Sequence, residues 1–309
     1  MTTIAPRTTR ARLNFVLFSL GALGAGWLGV AVDRASGVDL ANGVALSNSS
    51  GTTGQAVFIL GPALVALGLY LFSRDGAGPL GFTLRFPHRA QWFGIAAVLY
   101  PAITVVAVGT GLATGMAALS APASPGKPAY LNAFLMIFAI QVVKNVIEEF
   151  IFRGYGTRTA MALGLRGAAT PHLLVGAVWA LWHLPLYLMW TSEADLRLIT
   201  SLPWAVFLPL LIVGVVATSL VYGELRVQTG SIWPGVLLHT MCNAVATPLL
   251  ANGHLTFDGH GDVLASPVPS AIVTMLLFGV VGLVLLRRRT TPPSTRAPRE
   301  PLASEATNP

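Results

Sequence analysis

The chain contains eight long, mainly apolar blocks, each close to the length that crosses a bilayer. They cover residues 13–32, 56–72, 92–119, 130–152, 171–190, 203–222, 231–250 and 268–286. About 20 consecutive apolar residues span the hydrocarbon core of a membrane. Only 10% of the residues are charged, compared with about 25% in an average soluble domain. The sequence therefore predicts a multi-pass membrane protein.

The residue pattern inside the blocks distinguishes helices from strands. In hydrocarbon, backbone N–H and C=O groups must pair within the protein, which only helices and closed barrels achieve. The blocks lack the alternation of apolar and polar residues that marks a barrel strand. We therefore predict an all-α, polytopic membrane helix bundle with about eight transmembrane helices. Residues 1–12 would precede the bundle at 13–286, and 287–309, rich in Pro, Ser and Thr, would be a disordered tail.

The basic residues divide unevenly between the two sides that alternating helices would create. With the N-terminus inside, 15 of the 19 Lys and Arg residues fall on the inner side, Lys144 lies within a helix, and only Arg34, Lys127 and Arg197 lie outside. Cytoplasmic loops are enriched in basic residues, so both termini should be cytoplasmic in a cell-membrane protein. The first block has no clear cleavage site and is read as a retained helix. The net charge of +7 reflects topology and does not indicate nucleic acid.

The fourth block ends with ionisable residues, which are costly in a membrane span. Placing one charge in hydrocarbon costs about 2.5–3.5 kcal/mol even on lenient scales. Spacings of four residues pair Lys144 with Glu148 and Glu149 with Arg153. Adjacent side chains on a helix point about 100° apart, so we predict that Glu149 is tied to Arg153 while Glu148 faces another helix. The structural alternative is two ion pairs at the cytoplasmic boundary.

Polar residues also interrupt the fifth and seventh blocks. His183 lies in the fifth block, and His239 and Asn243 lie in the seventh. The latter two are four residues apart and share a helix face, so their donors could be aimed at one oxyanion. The alternative is a satisfied core histidine and an asparagine that hydrogen-bonds between helices. We predict that these groups meet Glu148 in the cytoplasmic half of the bundle, provided that the three helices are neighbours.

Other residues with ligand chemistry are predicted to have no catalytic role. We expect five to lie at the surface: His172, His254, Asp258, His260 and Asp262. The spacing of the His and Asp residues in the last outer loop matches no known metal cage. Cys242 is the only cysteine, which excludes an intrachain disulfide, and we expect it to be a small buried hydrophobe.

Three motifs, in order, resemble those of the CPBP intramembrane proteases. This family groups CAAX prenyl endopeptidases with bacterial Abi and bacteriocin-processing proteins. The motifs are Glu-Glu-x-x-x-Arg at Glu148 to Arg153, aromatic-x-x-x-His at Trp179 to His183, and His-x-x-x-Asn at His239 to Asn243. The resemblance covers about residues 130–250. Trp179 stands where phenylalanine is usual, and Tyr187 stands where some members place an asparagine.

The resemblance implies an intramembrane endopeptidase with defined residue roles. Glu148 would be the general base on a water, helped by His183. His239 and Asn243 would hold the developing oxyanion, supported by Glu149 and Arg153. Glu148, His183 and His239 could also supply three ligands to Zn²⁺ and leave a position for water. The helical His-Glu-x-x-His signature is absent, and we expect no obligatory metal.

Two other function classes stay open at the level of sequence. A catalytically silent immunity or regulatory protein could bind a peptide or a membrane partner in the same cavity. A proton-coupled transporter could use the buried Glu and His residues as a relay, although no internal repeat is evident. For the enzyme, the expected substrate is a membrane-associated or hydrophobic peptide in the lipid bilayer, of which a prenylated CAAX protein is one option.

Overall fold

The computed structural model describes residues 5–40, 51–73, 77–121 and 123–289, and the predicted tail beyond residue 289 lies outside these ranges. The helices are α1 (Ala5–Ala35), α2 (Thr53–Phe72), α3 (Ala90–Ala113), α4 (Tyr130–Glu149), α5 (Arg158–Met161), α6 (Thr170–Trp182), α7 (Glu193–Arg197), α8 (Trp204–Thr229), α9 (Trp233–Ala251), α10 (Gly261–Ala265) and α11 (Ile272–Arg287). Two short strands, β1 (Ala117–Leu119) and β2 (Leu255–Phe257), pair antiparallel. The described residues are predominantly helical.

The predicted all-α membrane bundle is confirmed. Seven stretches are long and apolar enough to cross a membrane, and Ile272–Arg287 is a shorter apolar helix, so about eight helices account for the eight blocks. The third predicted span was too long at its C-terminal end, since α3 ends at Ala113. Gly115 adopts a left-handed φ of 71°, and the Met116 amide bonds to the Gly111 carbonyl at 2.9 Å. These are the features of a helix-terminating Schellman motif.

Contacts between helix ends show that the chain runs back and forth through the bundle. Asp33, near the end of α1, accepts a hydrogen bond from the Gly54 amide at the start of α2 at 2.7 Å. At the opposite end, Trp233 at the start of α9 donates to the Phe82 carbonyl before α3 at 2.7 Å. We call the end with Trp233 the inner end and the end with Asp33 the outer end. That the inner end faces the cytoplasm stays a prediction.

The packing of the helices brings the three motif segments together. The most extensive contacts that involve these segments join α4 to α9 and α6 to α8, and α8 also packs on α9 and α11. Side chains of the interior include Phe152, Trp179, Trp182 and Tyr222, all at most 5% exposed. Phe152 after α4, Trp179 on α6, Tyr222 on α8 and His239 on α9 therefore share one aromatic core.

Two irregular segments follow motif residues directly. After Glu149 the chain continues through the π-helical turns Phe150–Thr157 into α5, and such turns are frequent at functional sites. After α6, regular helix is interrupted at His183 before the π-helical turn Leu186–Trp190. Pro185 lacks an amide hydrogen and its ring crowds the preceding turn. The sequence predicts a regular helix at His183, whereas this residue lies where the regular helix is interrupted.

Gly54 provides a stability test of the α1–α2 contact. A Cβ at Gly54 would lie 2.2 Å from the Gly29 carbonyl oxygen, whereas a Cβ at Gly68 in the same helix would meet nothing within 4 Å. Overpacking of this kind costs about 1–3 kcal/mol, so we expect Gly54→Ala to lower the melting temperature in detergent and Gly68→Ala to leave it unchanged or raise it. Equal melting temperatures for the two variants would contradict this packing.

Candidate active site

The end of α4 places two adjacent carboxylates inside the bundle. Glu148 and Glu149 are 1% and 0% exposed. Lys144, one turn earlier, approaches Glu148 with 2.5 Å between Nζ and Oε1, and the predicted pair is confirmed. The Lys144 side chain is 33% exposed, so this pair links the buried carboxylate to the edge of the bundle. Because Oε1 is occupied by Lys144, Oε2 is the oxygen of Glu148 that faces the neighbouring helices.

His239 on α9 stands between the two carboxylates. Its Nδ1 lies 3.1 Å from Glu149 Oε1, and its Nε2 lies 3.9 Å from Glu148 Oε2. The first distance is a hydrogen bond, whereas the second is too long for one and leaves a polar gap. The His239 side chain is 9% exposed. His239 and Glu148 are therefore brought together as predicted, and the contact of His239 with Glu149 is a new finding.

The contact with Glu149 restricts what His239 can do. If Nδ1–H donates to the Glu149 carboxylate, a neutral ring has only a lone pair at Nε2 and accepts hydrogen bonds there. Only the imidazolium form donates from both nitrogens. His239 can thus accept from a water beside Glu148 when neutral, and it can donate to an oxyanion only when it is protonated.

Arg153 is fully buried and balances the charge of Glu149. Its Nε lies 3.6 Å from Glu149 Oε2, which confirms the predicted neighbourhood. The guanidinium makes no hydrogen bond to any residue in the described ranges. Instead its Cζ stacks 4.0 Å from the centre of the Trp179 ring and 4.6 Å from that of Tyr222. Aromatic faces stabilise a desolvated cation, so Arg153 is held by one carboxylate and two rings.

The α6 motif contributes Trp179 and His183. The Trp179 indole nitrogen donates to Glu148 Oε2 over 3.4 Å. His183 Nδ1 donates to the Trp179 carbonyl at 2.8 Å, so the neutral ring keeps a lone pair at Nε2. Among the described residues, no ion-pair contact within 4.0 Å joins His183 to Glu148. His183 therefore contacts the site through Trp179, whose carbonyl it bonds and whose ring it meets with 5.6 Å between centroids.

Asn243 lies one turn beyond His239 on α9, but its amide points to α4. Its Nδ2 donates to Gln141 Oε1 at 3.1 Å and to Asn145 Oδ1 at 3.4 Å. Both amide hydrogens are therefore engaged, and the convergence of Asn243 and His239 on one point is not seen in this arrangement. Asn145, which is fully buried, also donates to Thr240 Oγ1 at 3.2 Å. The oxyanion role of Asn243 stays a prediction.

Comparison with known proteins gives one result for this part of the chain. Residues 130–245 match the family model described as "Type II CAAX prenyl endopeptidase Rce1-like". This segment belongs to that family. No curated protein sequence matches the chain. The matched segment, called here the CAAX endopeptidase core, contains all three motifs and the helices α4, α6, α8 and most of α9, and the match indicates a peptidase of the CAAX endopeptidase type.

The side chains of the CAAX endopeptidase core do not fit a zinc site in this arrangement. Within the described residues, no group of three or more His, Cys, Asp or Glu side chains is placed to hold a metal ion. Glu148 and His239 approach each other, and the third expected ligand, His183, bonds to a backbone carbonyl through Nδ1, which leaves Nε2 as its open nitrogen.

Sequence reasoning missed three members of the site, all supplied by tertiary contacts. Asn145 and Gln141 lie on the α4 face that carries Glu148, and helical spacing of three and four residues could have identified them. Tyr222 on α8 is 2% exposed and has no signal in the sequence. Its hydroxyl contacts Cys242 Sγ at 3.4 Å, so Cys242, predicted as a small buried hydrophobe, is only partly buried and has a polar neighbour.

The prediction that His172 lies at the surface was wrong. The side chain is fully buried, and its Nε2 lies 2.8 Å from Glu224 Oε1. Arg289 also contacts Glu224, so the inner ends of α6, α8 and α11 share one ionic cluster. A Cβ on Gly223 would lie 2.0 Å from His172 Nδ1, which shows that this glycine makes the room. The partners lie 52 and 117 residues away, beyond the reach of local pattern.

Two residues of the last outer loop were also wrongly predicted to be exposed. His254 and Asp262 are 5% and 6% exposed. Asp262 accepts a hydrogen bond from the Ser201 amide at 2.6 Å, and His254 bonds through Nδ1 to a backbone carbonyl of the loop after α3 at 3.0 Å. The loop therefore folds inward to satisfy these polar groups. Asp258 and His260 are exposed, as predicted.

Proposed function

We propose that the protein hydrolyses a peptide bond of a membrane-associated or hydrophobic peptide, with a water activated by Glu148. The supporting observation is the gap of 3.9 Å between Glu148 Oε2 and His239 Nε2. Polar groups at such a separation are commonly joined by a shared water. The two atoms come from different helices and lie in the buried core of the bundle, where fixed charges act strongly on a reacting group.

In the proposed reaction, Glu148 moves one proton. Oε2 accepts it from the water as the water oxygen attacks the peptide carbonyl, and then returns it to the leaving amine nitrogen. General acid–base catalysis of this kind contributes about 10²- to 10⁴-fold. The Lys144 ammonium on Oε1 provides the counter-charge that a buried carboxylate needs. His183 assists from its lone pair at Nε2.

The oxyanion requires donors that are engaged elsewhere in this arrangement. We propose that His239 donates from Nε2 as an imidazolium while Glu149 accepts a hydrogen bond from Nδ1. The Asn243 amide would break its hydrogen bond to Gln141 or Asn145 and donate instead to the substrate oxygen. A donor aimed at the oxyanion contributes about 3 kcal/mol, so this exchange would couple substrate binding to completion of the site.

The proposal extends to the surroundings of the reaction. The peptide would enter from the inner end. We propose that this end faces the cytoplasm, with both termini on that side of the cell membrane, because basic residues are enriched in cytoplasmic loops. No obligatory metal and no nucleic acid take part. Prenylated CAAX proteins are one possible class of substrate, since the matching family is named for them.

The experiment is cleavage of a library of fluorogenic hydrophobic peptides by the full-length protein purified in detergent. Products are identified by mass spectrometry, with and without a metal chelator. We expect cleavage that persists in the chelator. Saturable binding without any product would contradict the enzyme and support a silent binding protein. Loss of cleavage in the chelator, restored by Zn²⁺, would contradict the proposal that no metal is required.

A further inference from the structure

We infer that Trp179 is a positioning residue that fixes the reacting oxygen of Glu148 through its indole N–H. The inference deepens and rests on the proposed function. Glu148 has two carboxylate oxygens with different partners: Oε1 bonds to Lys144 at 2.5 Å, and Oε2 accepts from Trp179 Nε1 at 3.4 Å. Oε2 is also the oxygen that faces His239 across 3.9 Å.

A carboxylate held only at Oε1 would still rotate about its last side-chain bond, because terminal sp³–sp² torsions are broad. The indole bond at Oε2 removes this freedom. At 3.4 Å this hydrogen bond is long. Its main effect is therefore to orient the plane of the Glu148 carboxylate, and it stabilises the negative charge of that group only weakly. Lys144 and Trp179 thus clamp Glu148 from opposite sides and keep Oε2 beside the proposed water.

The indole itself is held in place on several sides. Its face carries the Arg153 guanidinium at 4.0 Å, and its edge meets the His239 ring with 5.5 Å between centroids and 82° between planes. It also meets the rings of His183 and Tyr222, each with 5.6 Å between centroids. Trp179 is 5% exposed. A side chain packed this way has little freedom, so the direction of its N–H is preorganised.

Phenylalanine at this position would keep an aromatic face for Arg153 but would have no donor for Glu148. The tryptophan noted in the sequence as a departure from the family's usual phenylalanine therefore adds a contact to the carboxylate. We expect Trp179→Phe to lower kcat by about 10-fold, the size of one lost hydrogen bond to a charged group. KM should not change, because the indole faces Glu148 and not the proposed substrate.

Trp190 offers a matched control. It is fully buried, and its indole N–H also donates to a carboxylate, Asp33 Oδ2, at 2.9 Å. That bond lies at the outer end of the bundle. Trp190→Phe removes the same kind of contact and should lower the melting temperature while leaving kcat per folded molecule unchanged. An effect of Trp179→Phe on kcat no larger than that of Trp190→Phe would overturn the inference, as would an increase in KM with kcat unchanged.

A spectroscopic measurement tests the contact without any substrate. In ¹H–¹⁵N spectra of the full chain in detergent, the indole signal of Trp179 is the one absent from Trp179→Phe. We expect this signal to move in Glu148→Leu while the Trp190 signal stays in place. If Trp179→Phe does not fold, the indole signal that moves in Glu148→Leu is assigned to Trp179. A Glu148→Leu spectrum in which no indole signal moves would overturn the inference. If the wild type cleaves no peptide, the proposed function fails. The spectrum still tests whether the Trp179 indole contacts Glu148.

Discussion

Glu148→Gln is expected to lower kcat on a cleaved peptide by about 10²- to 10⁴-fold, the contribution of a general base. The amide has nearly the shape of the carboxylate and can still accept a hydrogen bond from Lys144. It cannot accept the proton of the attacking water. Lys144 loses its ionic partner, but its side chain is one-third exposed and can reach polar surroundings. The protein should therefore fold, and KM should change little.

Glu224→Gln is the matched control for this loss. Glu224 is also a fully buried glutamate near the inner end of a helix, but it bonds to His172 and Arg289 and not to any motif residue. Its variant should retain the kcat of the wild type per folded molecule. Wild-type turnover in Glu148→Gln would remove the general base from the mechanism. An equal loss of kcat in Glu224→Gln would indicate that the effect of Glu148→Gln comes from the loss of a buried charge and not from the loss of a general base.

Glu149→Ala is expected to lower the free energy of unfolding by about 3–5 kcal/mol, because it leaves a buried charge without its partner. Arg153 is fully buried and has no hydrogen bond within the described residues, so Glu149 at 3.6 Å is its principal counter-charge. The same variant removes the acceptor of His239 Nδ1. Denaturation in mixed micelles, followed by tryptophan fluorescence, measures the change.

The double variant Glu149→Ala/Arg153→Leu separates the charge effect from lost packing. It contains no unpaired cation, so we expect it to be less destabilised than the sum of the two single variants, as strongly coupled neighbours are. The exposed pair Glu193 and Arg197 is the control, with side-chain exposures of 62% and 42%. Exposed pairs are worth about 0–1 kcal/mol, so Glu193→Ala should have little effect. Simple additivity of the Glu149 and Arg153 variants would contradict the buried pair.

The helices could be predicted from the sequence because hydropathy alone determines which segments can cross a bilayer. The irregular parts could not. Strands β1 and β2 have three residues each, too few for a period of two to be recognised, and their central residues, Ala118 and Thr256, are 138 positions apart. The turn at Gly115 interrupts a block that we predicted to continue to residue 119, and the π-helical turns begin at Phe150, inside the fourth predicted block. Apolar block length does not reveal either end of the regular helix.

The site residues could be predicted where the spacing is local. Lys144 with Glu148, and Glu149 with Arg153, follow from the four-residue helical repeat. The bond between Glu149 and His239 spans 90 residues, and no pattern within one helix reveals it. Asn243 shares a helix face with His239, as expected. The Asn243 amide, however, donates its hydrogen bonds to the side-chain oxygens of Gln141 and Asn145. Helical periodicity predicts which side chains point together, whereas their partners depend on the register between two helices.

The register between α4 and α9 is the central claim, because it places Glu148 beside His239. It can be measured with a cysteine pair at Asn145 and Thr240, whose side chains are fully buried and bonded at 3.2 Å. The background is Cys242→Ser, which removes the only native cysteine. A protease site in the exposed loop 164–168 separates α4 from α9 after oxidation in membranes.

We predict that the cleaved Asn145→Cys/Thr240→Cys protein migrates as one disulfide-linked species and separates on reduction. The control pair replaces Asn145→Cys with Val143→Cys, a position of α4 that is 68% exposed, and it should give two separate fragments under both conditions. Linkage of the control pair, with none between residues 145 and 240, would contradict the shared pocket of Glu148 and His239.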